Sequence, residues 1–231
     1  MIPYFPQPYW RVGPFTIHAF GVASCVALLI FYWLVMQGAE RHGMTKERAG
    51  RMFVTVLLSG LLAGVLWTRG SGISATGAVV GAMTGFLLFP RRVEIRQALD
   101  LMSLAIVCAY VLTRFGCFLA HDHPGRFTDS WMGVRYPEGV RFDLGLLQCV
   151  AALVNAAGAA LIDRANTVPG SVFAWVATML GLARLAILPL SDPVLSDWVV
   201  AACLTMAGLG VAIFCKFGGS PTIVFGGRFL R

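Results

Sequence analysis

The chain has 231 residues, 58% of them hydrophobic and only 13% charged, with a formal net charge of +7. An ordinary soluble domain is about 45–50% apolar and about 25% charged, so a soluble fold of this length could not cover its surface. Disorder, a secreted disulfide scaffold and an ordinary cytosolic enzyme are excluded, and the membrane class remains.

The opening residues, 1–10, are rich in proline and aromatics. They lack the basic start and short apolar core of a signal peptide and read as a segment lying at the membrane interface. A spanning helix needs about 20 mostly apolar residues. Runs of this kind cover residues 12–39, 52–68, 70–90, 101–120, 144–162, 165–190 and 198–215. The fourth is broken only by Arg114 and the sixth only by Arg184. The expected fold is an all-α integral membrane protein, a single domain over 1–231 built as a bundle of seven transmembrane helices. Cys25, Cys108, Cys149, Cys203 and Cys215 fall inside the runs and read as small buried side chains, while Cys117 has polar neighbours.

Seven spans put the termini on opposite sides. One side would carry eleven of the lysines and arginines, among them Arg41, Lys46, Arg91, Arg92 and Lys216, and the other six. The positive-inside rule makes the richer side cytoplasmic, so the N-terminus faces outward and the C-terminus lies in the cytoplasm. The basic balance thus belongs to loops facing anionic lipid, with no nucleic-acid partner implied.

Gly60 and Gly64, and then Gly77, Gly81 and Gly85, recur every four residues. Small residues at this spacing let helix backbones approach closely in lipid. The stretch 72–77 is small and polar, as expected where backbone lines a cavity.

The densest polar segment is 114–143, expected on the outer face. It holds Arg114, Cys117, His121, Asp122, His123, Arg126, Arg141 and Asp143. An arginine deep in a bilayer costs at least about 2.5–3.5 kcal/mol on the insertion scale. Arg114 and Arg184, at similar expected depth, therefore suggest a shared site for a phosphate or phosphodiester. His121, Asp122 and His123 offer two imidazoles and a carboxylate just before a turn, suited to acid–base work. A His-x-His pair is also a fragment of metal sites, but a metal needs three or four ligands, so none is expected.

Together these features resemble the prolipoprotein diacylglyceryl transferases, a family of seven-span bacterial inner-membrane enzymes. The stretch 113–118, Thr113-Arg114-Phe115-Gly116-Cys117-Phe118, resembles the family signature Gly-Arg-x-Gly-Asn-Phe. Asp122 falls where the signature carries an acid and Gly125 where it ends in glycine. Arg184 matches the arginine of the family's sixth span. Val12-Gly13-Pro14-Phe15 resembles the family's opening. The likeness covers nearly the whole chain.

It implies transfer of diacylglyceryl from phosphatidylglycerol to the lipobox cysteine in the signal peptide of a preprolipoprotein, in the inner (cytoplasmic) membrane, without a cofactor. Arg114 and Arg184 would hold phosphate, with Arg126, Arg141 and Asp143 also on the substrate and Thr76 and Gly77 lining the cavity. The sequence departs from the family in several places. The third-span His-Gly-Gly-Leu reads Thr76-Gly77-Ala78-Val79, and the first-span Tyr is Phe20. The stretch Arg-His-Pro-x-Gln-Leu-Tyr-Glu reads Arg141-Phe142-Asp143-Leu144-Gly145-Leu146-Leu147-Gln148. With the family's histidine absent, His123 is the expected base, His121 the second choice, and Asp122 the group that orients them. The alternatives are a non-catalytic lipid-binding or lipid-moving paralogue, or a transferase with another acceptor.

Overall fold

A computed structural model describes residues 1–70, 74–88, 95–165 and 168–191, with residues 206 and 210. Its main helices are α1 (Ala19–Gly38), α2 (Lys46–Trp67), α3 (Ala75–Leu88), α4 (Ile95–Ala120), α5 (Leu144–Arg164) and α6 (Ser171–Ile187). A 3₁₀ turn, Leu188–Leu190, extends α6. Among the described residues, α1, α2, α4, α5 and the extended α6 are long and apolar enough to cross a membrane, and α3 is a shorter apolar helix. The protein is therefore a helical, multi-pass membrane protein. Of the expected seventh span only residues 206 and 210 are described, both helical, and the rest of 198–215 lies outside the described residues.

Helix ends follow local chemistry. Thr45 caps α2, accepting a hydrogen bond from Arg48 N at 3.4 Å, and Asp143 caps α5, accepting from Leu146 N at 3.0 Å. The free N–H groups at the start of α6 are satisfied from another helix. Asp100 of α4 accepts from Gly170 N at 2.6 Å and Phe173 N at 2.9 Å, which ties α6 to α4 through the donors a helix start leaves unpaired.

α4 is the central helix. On one flank Leu101, Ala105 and Ala109 pack with Phe31, Val35, Met52 and Phe53 of α1 and α2. On the other, Val107 packs with Ala159 of α5 and with Val172 and Val176 of α6. Leu29, Leu58, Leu62 and Leu161 stand exposed on the outside, where a bilayer would cover them. The glycine spacing acts as expected for packing. A Cβ at Gly77 would lie 2.7 Å from Ala63 O and from the Trp67 Cβ, and one at Gly81 would collide with Ser59 O.

At the end of the bundle where α4 stops, the polar segment is not a loop. Strands β4 (Pro124–Phe127), β5 (Val134–Tyr136) and β6 (Gly139–Asp143) form a sheet, and β1 (Ile2–Pro3) joins it parallel to β5, in the order β1-β5-β6-β4. Residues expected in the first span instead make a hairpin of β2 (Tyr9–Val12) and β3 (Phe15–His18), turning at Gly13 with φ 60°. The left-handed turn and Pro14 prevent a helix from running through 12–18. The all-α expectation thus holds for the membrane part, while the polar cap is β-structure.

Candidate functional site

Residues spaced by three or four along a helix share one face. On α4 that spacing aligns Tyr110, Arg114 and Cys117 toward the helix end. The Arg114 guanidinium carbon lies 4.7 Å from the centre of the Tyr110 ring, a cation–π contact. Arg114 Nη1 is 4.0 Å from Cys117 Sγ. From α6, Arg184 Nη2 donates to the Tyr110 hydroxyl at 3.0 Å. The two arginines therefore share one tyrosine, one on its face and the other on its hydroxyl. Both are partly buried, and among the described residues neither is paired with a carboxylate. Arg114 Nε is buried without a partner among these residues.

Beside Arg184 is a small crevice between α4, α5 and α6, with room for about one water molecule, lined by Tyr110, Gln148, Asn155, Leu180, Arg184 and Ile187 among others. Asn155 Nδ2 donates to Val176 O at 3.1 Å. This leaves Asn155 Oδ1, like Gln148 Oε1, a buried acceptor with no partner among the described residues. The crevice thus offers a cation, a hydroxyl and two free acceptors within apolar walls.

At the end of α4 the chain reverses at His121, which has a left-handed φ of 51°. Histidine reaches this region more often than most side chains, but at some cost. The side chain repays it by locking the cap. His121 Nδ1 donates to Asp143 Oδ2 at 2.7 Å, and the Tyr136 hydroxyl donates to the same oxygen at 2.8 Å. Asp143 is fully buried and satisfied by these two donors and Leu146 N. Burial, and then the hydrogen bond to Asp143, push the Tyr136 phenol well above its ordinary range. Tyr4, Phe5, Phe118 and Tyr136 surround the His121 ring with centroids 4.5–5.4 Å away.

The reversal sends Asp122 and His123 outward, where both are exposed. Their Oδ1 and Nε2 atoms are 3.8 Å apart. One ligand atom from each lies with Cys117 Sγ in a group whose members are all within 4.8 Å of one another.

The candidate residues from the sequence therefore divide. Arg114 and Arg184 are brought together. Asp122 stands by His123, and His121 is held by Asp143, because the β6 strand carries that carboxylate beneath the end of α4. Asp143 is thus enclosed by the fold rather than free for a substrate. Arg126 Nε donates to Ser191 O at 3.0 Å. Arg141 Nη1 donates to Gly125 O at 3.2 Å, with its guanidinium stacked 3.8 Å from the Phe127 ring centre. Gly77 is pressed against α2, so its place is in helix packing rather than cavity lining. The side chain of Thr76 lies outside the described residues. Sequence reasoning missed Tyr110, although it stands four residues before Arg114 on the same face, and it missed Gln148 and Asn155 among the apolar residues of α5.

Fold and site together define a multi-pass membrane protein with a paired-arginine site at one end of its bundle. Residues 7–215 match the family described as prolipoprotein diacylglyceryl transferase, and the chain belongs to that family. Three similar proteins are each named phosphatidylglycerol–prolipoprotein diacylglyceryl transferase. The one from Chromohalobacter salexigens is 27% identical over 147 residues, covering 54% of this chain and 55% of that protein. The one from Ehrlichia canis is 22% identical over 152 residues, covering 57% and 58%. The one from Deinococcus radiodurans is 23% identical over 159 residues, covering 58% and 47%. The chain spans about half the length of the curated relatives it matches.

Proposed function

We propose that this protein transfers diacylglyceryl from phosphatidylglycerol, or a related anionic phospholipid, to the lipobox cysteine thiol of preprolipoproteins, releasing glycerol 1-phosphate. One observation carries the reading: Arg114 and Arg184 meet at Tyr110 with no carboxylate partner among the described residues. Two such cations are costly in a membrane. A phosphate between them offsets that cost through charge-assisted hydrogen bonds worth about 1.5–3 kcal/mol each. The same contacts strengthen as charge develops on the leaving phosphate. Gln148 Oε1 and Asn155 Oδ1, beside Arg184, are acceptors for a small donor such as a water or a hydroxyl. Family membership and the names of the relatives support the donor and the acceptor.

The nucleophile in this reading is the acceptor's own thiol, so the enzyme supplies only a place for the thiol to lose its proton. That place is the corner of Cys117, Asp122 and His123, exposed on two sides and joined to the phosphate site through Arg114. His121, enclosed and bonded to Asp143, serves the fold of the cap. The reading includes seven spans in the bacterial inner membrane, with the N-terminus and the site facing outward. The asymmetry of eleven against six basic residues supports that orientation.

The test is transfer of radiolabelled glycerolipid to a lipobox peptide by the purified full chain in detergent. R114K and R184K should lose nearly as much activity as the alanine variants, because an ammonium cannot replace planar bidentate contact. Lipid consumed without labelled peptide would redirect the acceptor. No consumption at all would leave a lipid-binding or lipid-moving protein.

A further inference from the structure

We propose that Cys117, Asp122 and His123 form a zinc site with one open position, and that this position takes the acceptor thiol as thiolate. The inference rests on the thiol-transfer reading above and deepens it by naming how the thiol is activated. The sequence alone offered His121, Asp122 and His123, two imidazoles and a carboxylate. The fold supplies a different set. The helix end provides Cys117, and the left-handed turn at His121 folds the next two residues back over it. His121 itself is withdrawn to Asp143.

The geometry fits the metal. A tetrahedral ion with bonds of about 2.0–2.3 Å separates its ligand atoms by about 3.3–3.8 Å. Asp122 Oδ1 and His123 Nε2 already stand 3.8 Å apart, and all three donors lie within 4.8 Å. The remaining closure of about 1 Å falls within the reach of ordinary rotamer changes in two exposed side chains. Mixed sulfur, nitrogen and oxygen donors suit Zn²⁺, and three protein ligands with a fourth position open is the pattern of catalytic rather than structural sites. Exposure of Asp122 and His123 leaves that position accessible from outside the bundle.

The charges also balance. Zn²⁺ with a thiolate and a carboxylate is neutral, and a second thiolate makes it singly negative. Arg114, 4.0 Å from Cys117 Sγ, sits beside it as the counter-charge. A coordinated thiol gives up its proton, here to solvent water. Its sulfur then attacks the glyceryl carbon that carries the phosphoester oxygen. A C–S bond forms and the C–O bond breaks. The leaving glycerol 1-phosphate takes the electron pair onto the arginines. No redox change occurs. The thioether product is a weaker ligand than a thiolate and departs, which frees the metal. His123 is then a metal ligand rather than the base.

The test uses the full chain in detergent with Co²⁺ as the probe. The wild type should give a thiolate-to-cobalt charge-transfer band and tetrahedral d–d bands at one ion per chain. A lipobox peptide should shift these bands, and its Cys→Ser version should not. C117S, D122N and H123Q should each weaken binding by more than about 100-fold, a larger loss than the 10–100-fold seen when groups supporting a ligand are removed. C25S, in the membrane face of α1, should bind normally. Unchanged thermal melting of D122N and H123Q, both at exposed positions, separates ligand loss from misfolding. Chelation should stop peptide labelling, and added Zn²⁺ should restore it. Absence of the thiolate band in the wild type, its survival in C117S, or full transfer by metal-free enzyme would overturn the proposal. If the bands form and shift with peptide but no preparation labels it, the metal site stands and the transferase reading falls.

Discussion

Tyr110→Phe is the most direct probe of how the arginines are positioned. It removes one oxygen and keeps the ring. The ring stays 4.7 Å from the Arg114 guanidinium, so that contact is retained. What is lost is the acceptor of the 3.0 Å hydrogen bond from Arg184. A hydrogen bond to a charged group is worth about 1.5–3 kcal/mol. Arg184 is only partly buried, so the lower end applies. At about 1.4 kcal/mol per decade, kcat/KM should fall about tenfold in an assay of label transfer from phosphatidylglycerol in mixed micelles. Tyr110→Ala also removes the ring beneath Arg114, adding about 0.5–2 kcal/mol, or a further two- to thirtyfold. The split between constants is informative. Equal grip on lipid and transition state raises KM alone, whereas a grip that tightens on the leaving phosphate lowers kcat. Wild-type kcat/KM in Tyr110→Phe, with Arg184→Ala inactive, would refute the idea that Tyr110 holds Arg184 in place.

Asp143→Ala should destabilise the protein by about 3–5 kcal/mol, since it strands His121 Nδ1, the Tyr136 hydroxyl and Leu146 N together; a loss under about 1 kcal/mol in thermal or denaturant melts would count against the cap as drawn. The raised Tyr136 titration favours the neutral phenol in the folded protein. Its stabilisation should be complete below about pH 10, the ordinary range of an unfolded tyrosine, and disappear as pH climbs above it; a Tyr136→Phe melt should lack that alkaline fall. For topology, a cysteine placed near Lys46 should resist an impermeant thiol reagent applied from outside, and one near Ser130 should react. The reverse pattern would invert the orientation.

The membrane helices were legible because their apolar runs are long. α5 begins at the residue where its run begins, after an aspartate that caps it. α4 and α2 extend beyond their runs because Asp100 and Arg96, and Lys46 to Arg51, continue a helix that composition alone ends too early. The cap was less legible. The alternation in Val134-Arg135-Tyr136 and Val140-Arg141-Phe142, on either side of Pro137 and Gly139, is a hairpin signal, but three-residue strands are easily hidden among balanced charges. Which histidine meets which carboxylate could not be read from spacing. Asp143 lies 22 residues from His121 and reaches it only because β6 returns antiparallel to β4 and β5. A similar depth for Arg114 and Arg184 could be read from the sequence, but the tyrosine that both contact required the helix face.

The electrostatics of the reaction explain why the corner at Cys117 matters. In the proposed transfer a thiolate approaches a phosphodiester, so two anions come within bonding range of one carbon. At about 4 Å two unit charges repel by about 1 kcal/mol in water and about 4 kcal/mol near a protein surface. Arg184 and Tyr110 answer for the phosphate side. Arg114 lies between the two sides, and a single guanidinium cannot neutralise both anions. Two other arginines of the cap donate to backbone, Arg126 to Ser191 O and Arg141 to Gly125 O. A thiol at neutral pH is also mostly protonated, since its ordinary pKa is about 8.5, so positive charge is needed before attack as well as during it. Thr76 stands where the family resemblance would place a third-span histidine. On the thiol side a proton acceptor or a coordinating ion would lower the cost of forming the thiolate, and among the described residues Cys117, Asp122 and His123 are the donors grouped beside Arg114.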